Sequence, residues 1–387
     1  MAVPTLSLPR DRPPGHALAP GRLVALTAED EALRDDRLFA PGVPARFPGT
    51  GWTHALKRLI EAGGRGLMTA DRALREIRSG VLTAGEVTLV QHGASADGRK
   101  LRALGARPGV LLCLESPLYL DDFYDRLPMH AEGFPWFIGF AGQARRLPRE
   151  TRFAQVRFPI LAGPSVPGLG FDARLHRAVL VAGNKFPRAC WGFSSASPRD
   201  LMRAALGWRE RLGSRALREG AKGELLRLRL RLIDALAPRG LLDLFGAGWS
   251  PLIDVPQPWR GRLRAALSGV GPCEDKRSVL SRYRFALCLE NTSWPGYLTE
   301  KLIDAIAAGC VPLYLGAPDI HQIIPRGAFV DLTGKSEREI EDLILGMDAS
   351  QAGPILEAGR VYLESEAGRL HQDAHFAQDV ASKLGLG

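Results

Sequence analysis

The chain has 387 residues, 45% hydrophobic and 24% charged, which is enough apolar material for more than one core and suggests two domains. Its formal net charge of +9 is compatible with an anionic partner or with a mere compositional bias toward arginine. No apolar run reaches the roughly 18–20 residues that a bilayer-spanning helix needs. The opening residues, MAVPTLSLPRDRPPGHALAPGR, lack the basic-then-apolar layout of a signal peptide. The expectation is a cytoplasmic protein, at most peripheral at the inner face of the membrane, with a flexible lead over residues 1–21.

In chain order, residues 22–26 read as a first strand and 54–62 and 71–79 as helices. A strand follows at 87–91, a short helix at 98–104 and a buried strand at 110–114, stopped by Glu115-Ser116-Pro117. Two more strands are expected at 137–140 and 156–160. Alternation of this kind argues for an open α/β sheet over residues 22–160. LAGPSVPGLG, residues 161–170, carries no charge and reads as a linker.

The second half, 171–350, opens with a strand near 177–182, followed by helices at 199–218 and 224–236 and a strand at 241–245. A short helix at 275–281 leads into YRFALCLENTSWPGYLTEKLIDAIAAGCVPLYL, residues 283–315. There the apolar run 285–289 reads as a strand buried on both faces. A polar loop follows, Thr299 stands where a helix N-cap belongs, and Gly309 ends that helix before a strand at 311–315. Three helical segments, 336–347, 352–365 and 372–384, close the chain, the last expected to cross back to the first domain.

Arginines are dispersed and no zinc-finger or RNA-recognition signature occurs, so no nucleic-acid partner is expected. An anionic membrane surface or a diphosphate substrate fits the charge equally well. The cysteines, Cys113, Cys190, Cys273, Cys288 and Cys310, are odd in number and form no CxxC pair, which reads as reduced core thiols. There is no DxD triad, no GxxxxGK[ST] loop and no histidine pair at ligand spacing, so no metal and no cofactor is expected.

LENTSWPGYLTEK, AGCVPLYLGAP and AFVDL resemble the donor-site signature of the α-1,3/1,4-fucosyltransferases, with the bacterial branch the best fit. The likeness is strong over residues 276–332 and extends loosely to HFAQDVASKL near the C-terminus. It implies two Rossmann-like α/β domains facing a cleft, the GT-B arrangement, with the acceptor on the first domain and GDP-fucose on the second. The implied partners are GDP-fucose and a glycan acceptor, with lipid-linked or lipopolysaccharide acceptors included.

Glu115 follows a buried strand, where a carboxylate faces the ligand edge of a parallel sheet. On the residues alone it reads as a surface glutamate ending a strand. LESP resembles the family stretch that holds the proposed catalytic base. Asp121, Asp122 and Asp125 are rival bases that read as a solvated acidic turn.

Arg229 falls inside a leucine stripe, with Leu225, Leu228, Leu232 and Leu236 on one face and Arg227, Arg231 and Asp234 opposite. A buried guanidinium needs an anion, either an internal carboxylate or a bound phosphate. ELLRLRLR resembles the family segment whose arginine grips phosphate. Lys301 is the expected second phosphate ligand.

By the same resemblance Glu300 bonds donor hydroxyls, while Asn291 and Tyr297 hold the sugar nucleotide. Lys276, Asn184 and Lys185 are further donor-binding candidates, and Trp294 is the aromatic expected to stack on a sugar or base. The rival readings are another nucleotide sugar on the same fold, or a non-catalytic carbohydrate-binding protein.

Overall fold

The computed structural model describes residues 22–386 except 48, 160–168, 191–197, 250–254, 256–258, 267–272 and 274. The expected lead and most of the expected linker therefore lie outside the described residues.

Two parallel sheets carry the fold. The first contains β1 (Leu23–Leu26), β2 (Gly66–Thr69), β3 (Val87–His92), β4 (Arg107–Leu112), β5 (Trp136–Gly139) and β6 (Arg152–Gln155) in the order β2-β1-β3-β4-β5-β6. The second contains β7 (Leu175–Val181), β8 (Leu242–Phe245), β9 (Tyr283–Leu289), β10 (Val311–Leu315) and β11 (Val330–Asp331) in the order β11-β10-β9-β7-β8. Every pairing is parallel. Each sheet reverses its strand order once, between β1 and β3 and between β7 and β9. In open α/β sheets ligands bind outside the carboxyl ends of the strands at such a point.

Apolar sequence explains the sheet interiors. Five consecutive residues of β9, Phe285–Leu289 by number 285–289, are buried because helices cover both faces. The helix Glu300–Ala307 inserts Leu302, Ile303 and Ile306 into one of those layers. Gly309 ends it at φ +70°, a conformation that leaves no room for a side chain beside Arg174.

Three expectations need correction. The strand expected at 156–160 lies at Arg152–Gln155, because Pro159 lacks the N–H that a ladder requires. The four-residue β2 was missed, being too short to show a period. The helix expected at 199–218 is two helices, Pro198–Gly213 and Arg215–Lys222, split where the Ser214 hydroxyl accepts from Leu217 N at 2.9 Å.

The last helix, Asp373–Lys383, crosses back as expected. It buries Phe376, Ala377, Val380 and Ala381 against the first-domain helix Gly51–Ala62, with Trp52 and Phe376 edge to face at 5.0 Å. A second tie comes from His371, whose Nδ1 donates to Phe158 O at 3.3 Å and whose Nε2 accepts from Tyr362.

Candidate active site

The second sheet's reversal places two loops side by side, Gly183-Asn184-Lys185 after β7 and Glu290-Asn291 after β9. Asn184 spends its amide on Gly248 O at 3.0 Å, which ties the loop after β7 to the loop after β8. Lys185 is exposed, and its carbonyl accepts from Tyr119 of the first domain at 2.6 Å.

Arg229 sits on the helix Leu226–Leu236 and is 4% exposed, among Leu226, Leu230, Leu232, Ile233 and Leu236. Its stripe is shifted from the expected one, since Leu225 is the cap residue and Leu228 is half-buried. Arg227 and Arg231 are exposed as expected. One Arg229 Nη donates to Leu289 O at 3.0 Å and to Asn291 Oδ1 at 3.3 Å, and its Nε is buried with no partner. No carboxylate among the described residues pairs with it. Burial pushes the guanidinium below its ordinary pKa, against the pull of Tyr119, Glu290 and more distant acids. A buried cation with an unused donor can pair with an incoming anion.

The bonds continue from Arg229 to the other domain. Asn291 Nδ2 donates to the Tyr297 hydroxyl at 3.4 Å, and that hydroxyl donates to Glu115 Oε1 at 2.9 Å. Ser116 N also donates to Oε1, at 2.7 Å, and Tyr124 holds the Glu115 carbonyl at 2.7 Å. Both side-chain bonds fall on Oε1, which leaves Oε2 to receive a proton. Four residues expected from sequence, Arg229, Asn291, Tyr297 and Glu115, thus form one hydrogen-bonded row across two sheets.

Lys301 corrects the expectation of two unspent cations. Its ammonium lies 3.0 Å from Glu290 Oε2 and 2.8 Å from Thr299 Oγ1, and Glu290 is wholly buried. Burial opposes ionisation of Lys301, yet Glu290 and Glu300 hold its pKa above the ordinary value. Thr299 does not cap the helix with its side chain; its hydroxyl and backbone N–H both serve Glu290. Lys276 is likewise paired, with Asp304 at 2.6 Å and Glu300 at 3.5 Å. Burial works against the Glu300 carboxylate, but Lys301 and Lys276 hold it far below the usual range. Lys301 and Lys276 each contact carboxylates directly, whereas Arg229 contacts none among the described residues.

Trp294 also departs from expectation. It is half-buried in the first domain's core clusters, edge to face with Tyr124 at 6.1 Å, and its Nε1 fills the space beside Gly142. It anchors the loop and is not presented to a ligand. The same loop is held by Gln155 Nε2 on Gly296 O at 3.1 Å and by Gly142 N on Pro295 O at 3.2 Å. Gly296 stands at φ +72°, and a Cβ there would meet Ala141 N at 2.8 Å. Tyr297, 1% exposed, packs edge to face on Phe140 at 4.9 Å.

Sequence reading passed over Glu290 and Tyr119. Glu290 ends the apolar run of β9, and a carboxylate in that position was the available signal. Tyr119 gave none, since only the fold brings it to Lys185. Among the described residues no group of three His, Cys, Asp or Glu side chains could hold a metal ion, and no helix is long and apolar enough to cross a membrane.

Residues 263–352 match the family model described as Glycosyltransferase family 10 (fucosyltransferase) C-term. The chain is 41% identical over 59 residues to an alpha-(1,3)-fucosyltransferase, FucT, of Helicobacter pylori, covering 15% of this chain and 12% of the relative. It is 33% identical over 128 residues to alpha-(1,3)-fucosyltransferase 7 of Homo sapiens, 32% of each. The first three curated relatives are spanned over only 12%, 15% and 13% of their own length. Among solved structures, Anabaena Alr3699/HepE in complex with UDP-glucose is similar at a TM-score of 0.52 and 10% identity, over 94% of this chain and 99% of that one. That likeness concerns the fold, two parallel-sheet α/β domains in the GT-B arrangement.

Proposed function

We propose that the chain is a glycosyltransferase family 10 fucosyltransferase, whose C-terminal model matches residues 263–352, and that it moves L-fucose from GDP-fucose to a glycan hydroxyl. The observation that carries the proposal is the row Arg229–Asn291–Tyr297–Glu115, which joins a buried unpaired cation to a carboxylate across the two sheets.

In this reading the acceptor hydroxyl of an N-acetylglucosamine or glucose unit gives its proton to Glu115 Oε2. Its oxygen attacks the anomeric carbon as the bond to the diphosphate breaks, and the bonding pair leaves with GDP. A single displacement on a β-linked donor yields an α-fucoside, for which α-1,3 linkage is the proposal. Arg229 stabilises the charge that grows on the departing diphosphate. Lys301, paired with Glu290, fixes the first turn of the helix Glu300–Ala307. Glu300, Asn184, Lys185 and Lys276 line the donor side. Positive charge from Arg229 does the work that a divalent cation does elsewhere, so no cofactor is required. Domain closure would exclude water from the reacting centre.

The test is an acceptor array incubated with GDP-fucose and other nucleotide sugars and read by mass spectrometry. Fucose transfer that vanishes in Glu115→Gln supports the proposal. Transfer from a different nucleotide sugar, or none with GDP-fucose, rejects the donor. Full activity in Glu115→Gln rejects the base.

A further inference from the structure

The helix Pro198–Gly213 is built inside out. Its inward stripe is Asp200, Ala204, Gly207 and the half-buried Arg211, at helical spacing. Its outward stripe is Leu201, Ala205, Trp208 and Leu212, flanked by Met202 and Leu206. Trp208, Leu212 and Met202 are 51%, 55% and 59% exposed. Of the 14 exposed large hydrophobic side chains among the described residues, five lie on these four turns. A surface helix ordinarily turns its apolar face to the core, and none of the described residues covers this one.

Charge selects the occupant. Arg199 and Arg209 are exposed on the same helix, and Arg218 is exposed on the next. Of the helix's two acids, Asp200 is buried against Arg260 at 2.8 Å and Glu210 is half-buried. A second copy of the chain would bring like charges together. An anionic lipid surface would neutralise the arginines, take the leucines below the headgroups and hold Trp208 at the interface.

The helix is also well placed. Its partner in the hairpin, Arg215–Lys222, lies against the loop that follows Glu115. A Cβ on Gly220 would sit 3.0 Å from Pro117, Asp125 accepts from Ala216 N at 2.9 Å, and Gly220 O accepts from Thr292 at 2.7 Å. We propose that the outward face of the helix Pro198–Gly213 docks the protein on an anionic bilayer, with the cleft mouth beside the lipid surface. That this serves a membrane-held acceptor rests on the functional reading above; the docking does not.

The experiment is flotation of the full chain with vesicles of phosphatidylcholine plus phosphatidylglycerol, and with phosphatidylcholine alone, at low and high salt. The native chain should float with the anionic vesicles and be released by salt. Trp208→Ser combined with Leu212→Ser should weaken binding about tenfold or more. Both side chains are exposed, so the variant should fold, with unchanged transfer to a soluble acceptor. Equal flotation of variant and native chain overturns the proposal, as does absence of native binding. Sedimentation velocity showing a native dimer that the variant loses would assign the face to a second copy and overturn it as well. Vesicle binding by a chain with no transferase activity would leave the docking standing and reject the functional reading.

Discussion

The Tyr297 hydroxyl, from the loop after β9, donates to Glu115 Oε1, from the loop after β4, at 2.9 Å. One tyrosine therefore joins the two sheets at the carboxylate proposed as base. It also sits between that carboxylate and the asparagine that Arg229 holds.

Tyr297→Phe removes this bond while keeping the ring packed on Phe140. A hydrogen bond to a charged group contributes about 1.5–3 kcal/mol. The expected loss is roughly tenfold to a hundredfold in kcat, with a smaller change in donor KM. Steady-state kinetics with the donor varied checks it. A change confined to KM would make Tyr297 a donor contact and not a positioning residue.

Lys301→Met leaves Glu290 buried without its cation. Breaking a buried pair from one side costs about 3–5 kcal/mol. Urea denaturation should show a loss of that size, much of it regained in Lys301→Met combined with Glu290→Gln. If stability is unchanged and only donor affinity falls, Lys301 is a ligand and its pairing with Glu290 is incidental.

Acid should weaken the tie between the C-terminal segment and the first domain. Burial pushes His371 down to about 4, below the ordinary histidine value near 6.5. The unfolded chain then binds more protons between those values, so stability rises with pH across that window and is lost as pH falls through it. Burial lowers His92 to about 4 as well, adding to the same trend. Thermal melts of His371→Gln should show a shallower slope from pH 6.5 to 4 than the native chain. An identical slope would contradict the assignment.

Much of this was legible in the sequence. The buried run before Glu290, Thr299 at the helix boundary and Gly309 marked a strand–loop–helix–strand unit, and Arg229 in a leucine stripe marked a buried cation. Local pattern could show where each residue stood on its own element. It could not show partners. Lys301 reads as a free first-turn lysine until the fold places Glu290 against it. Trp294 reads as a sugar platform until Tyr124 and Gly142 close around it. The outward apolar stripe of Pro198–Gly213 shows a helical period but not which side faces the core, and only the packing of Ala204 and Gly207 decides that.

The central claim is that Arg229 is the cation awaiting the diphosphate. Calorimetric titration of GDP tests it most directly, with Arg229→Met keeping the apolar stripe filled and Glu115→Gln as control. The account predicts affinity about a hundredfold lower in Arg229→Met, the loss of a charge-assisted hydrogen-bond pair, and native affinity in Glu115→Gln. Native GDP affinity in a folded Arg229→Met would contradict it.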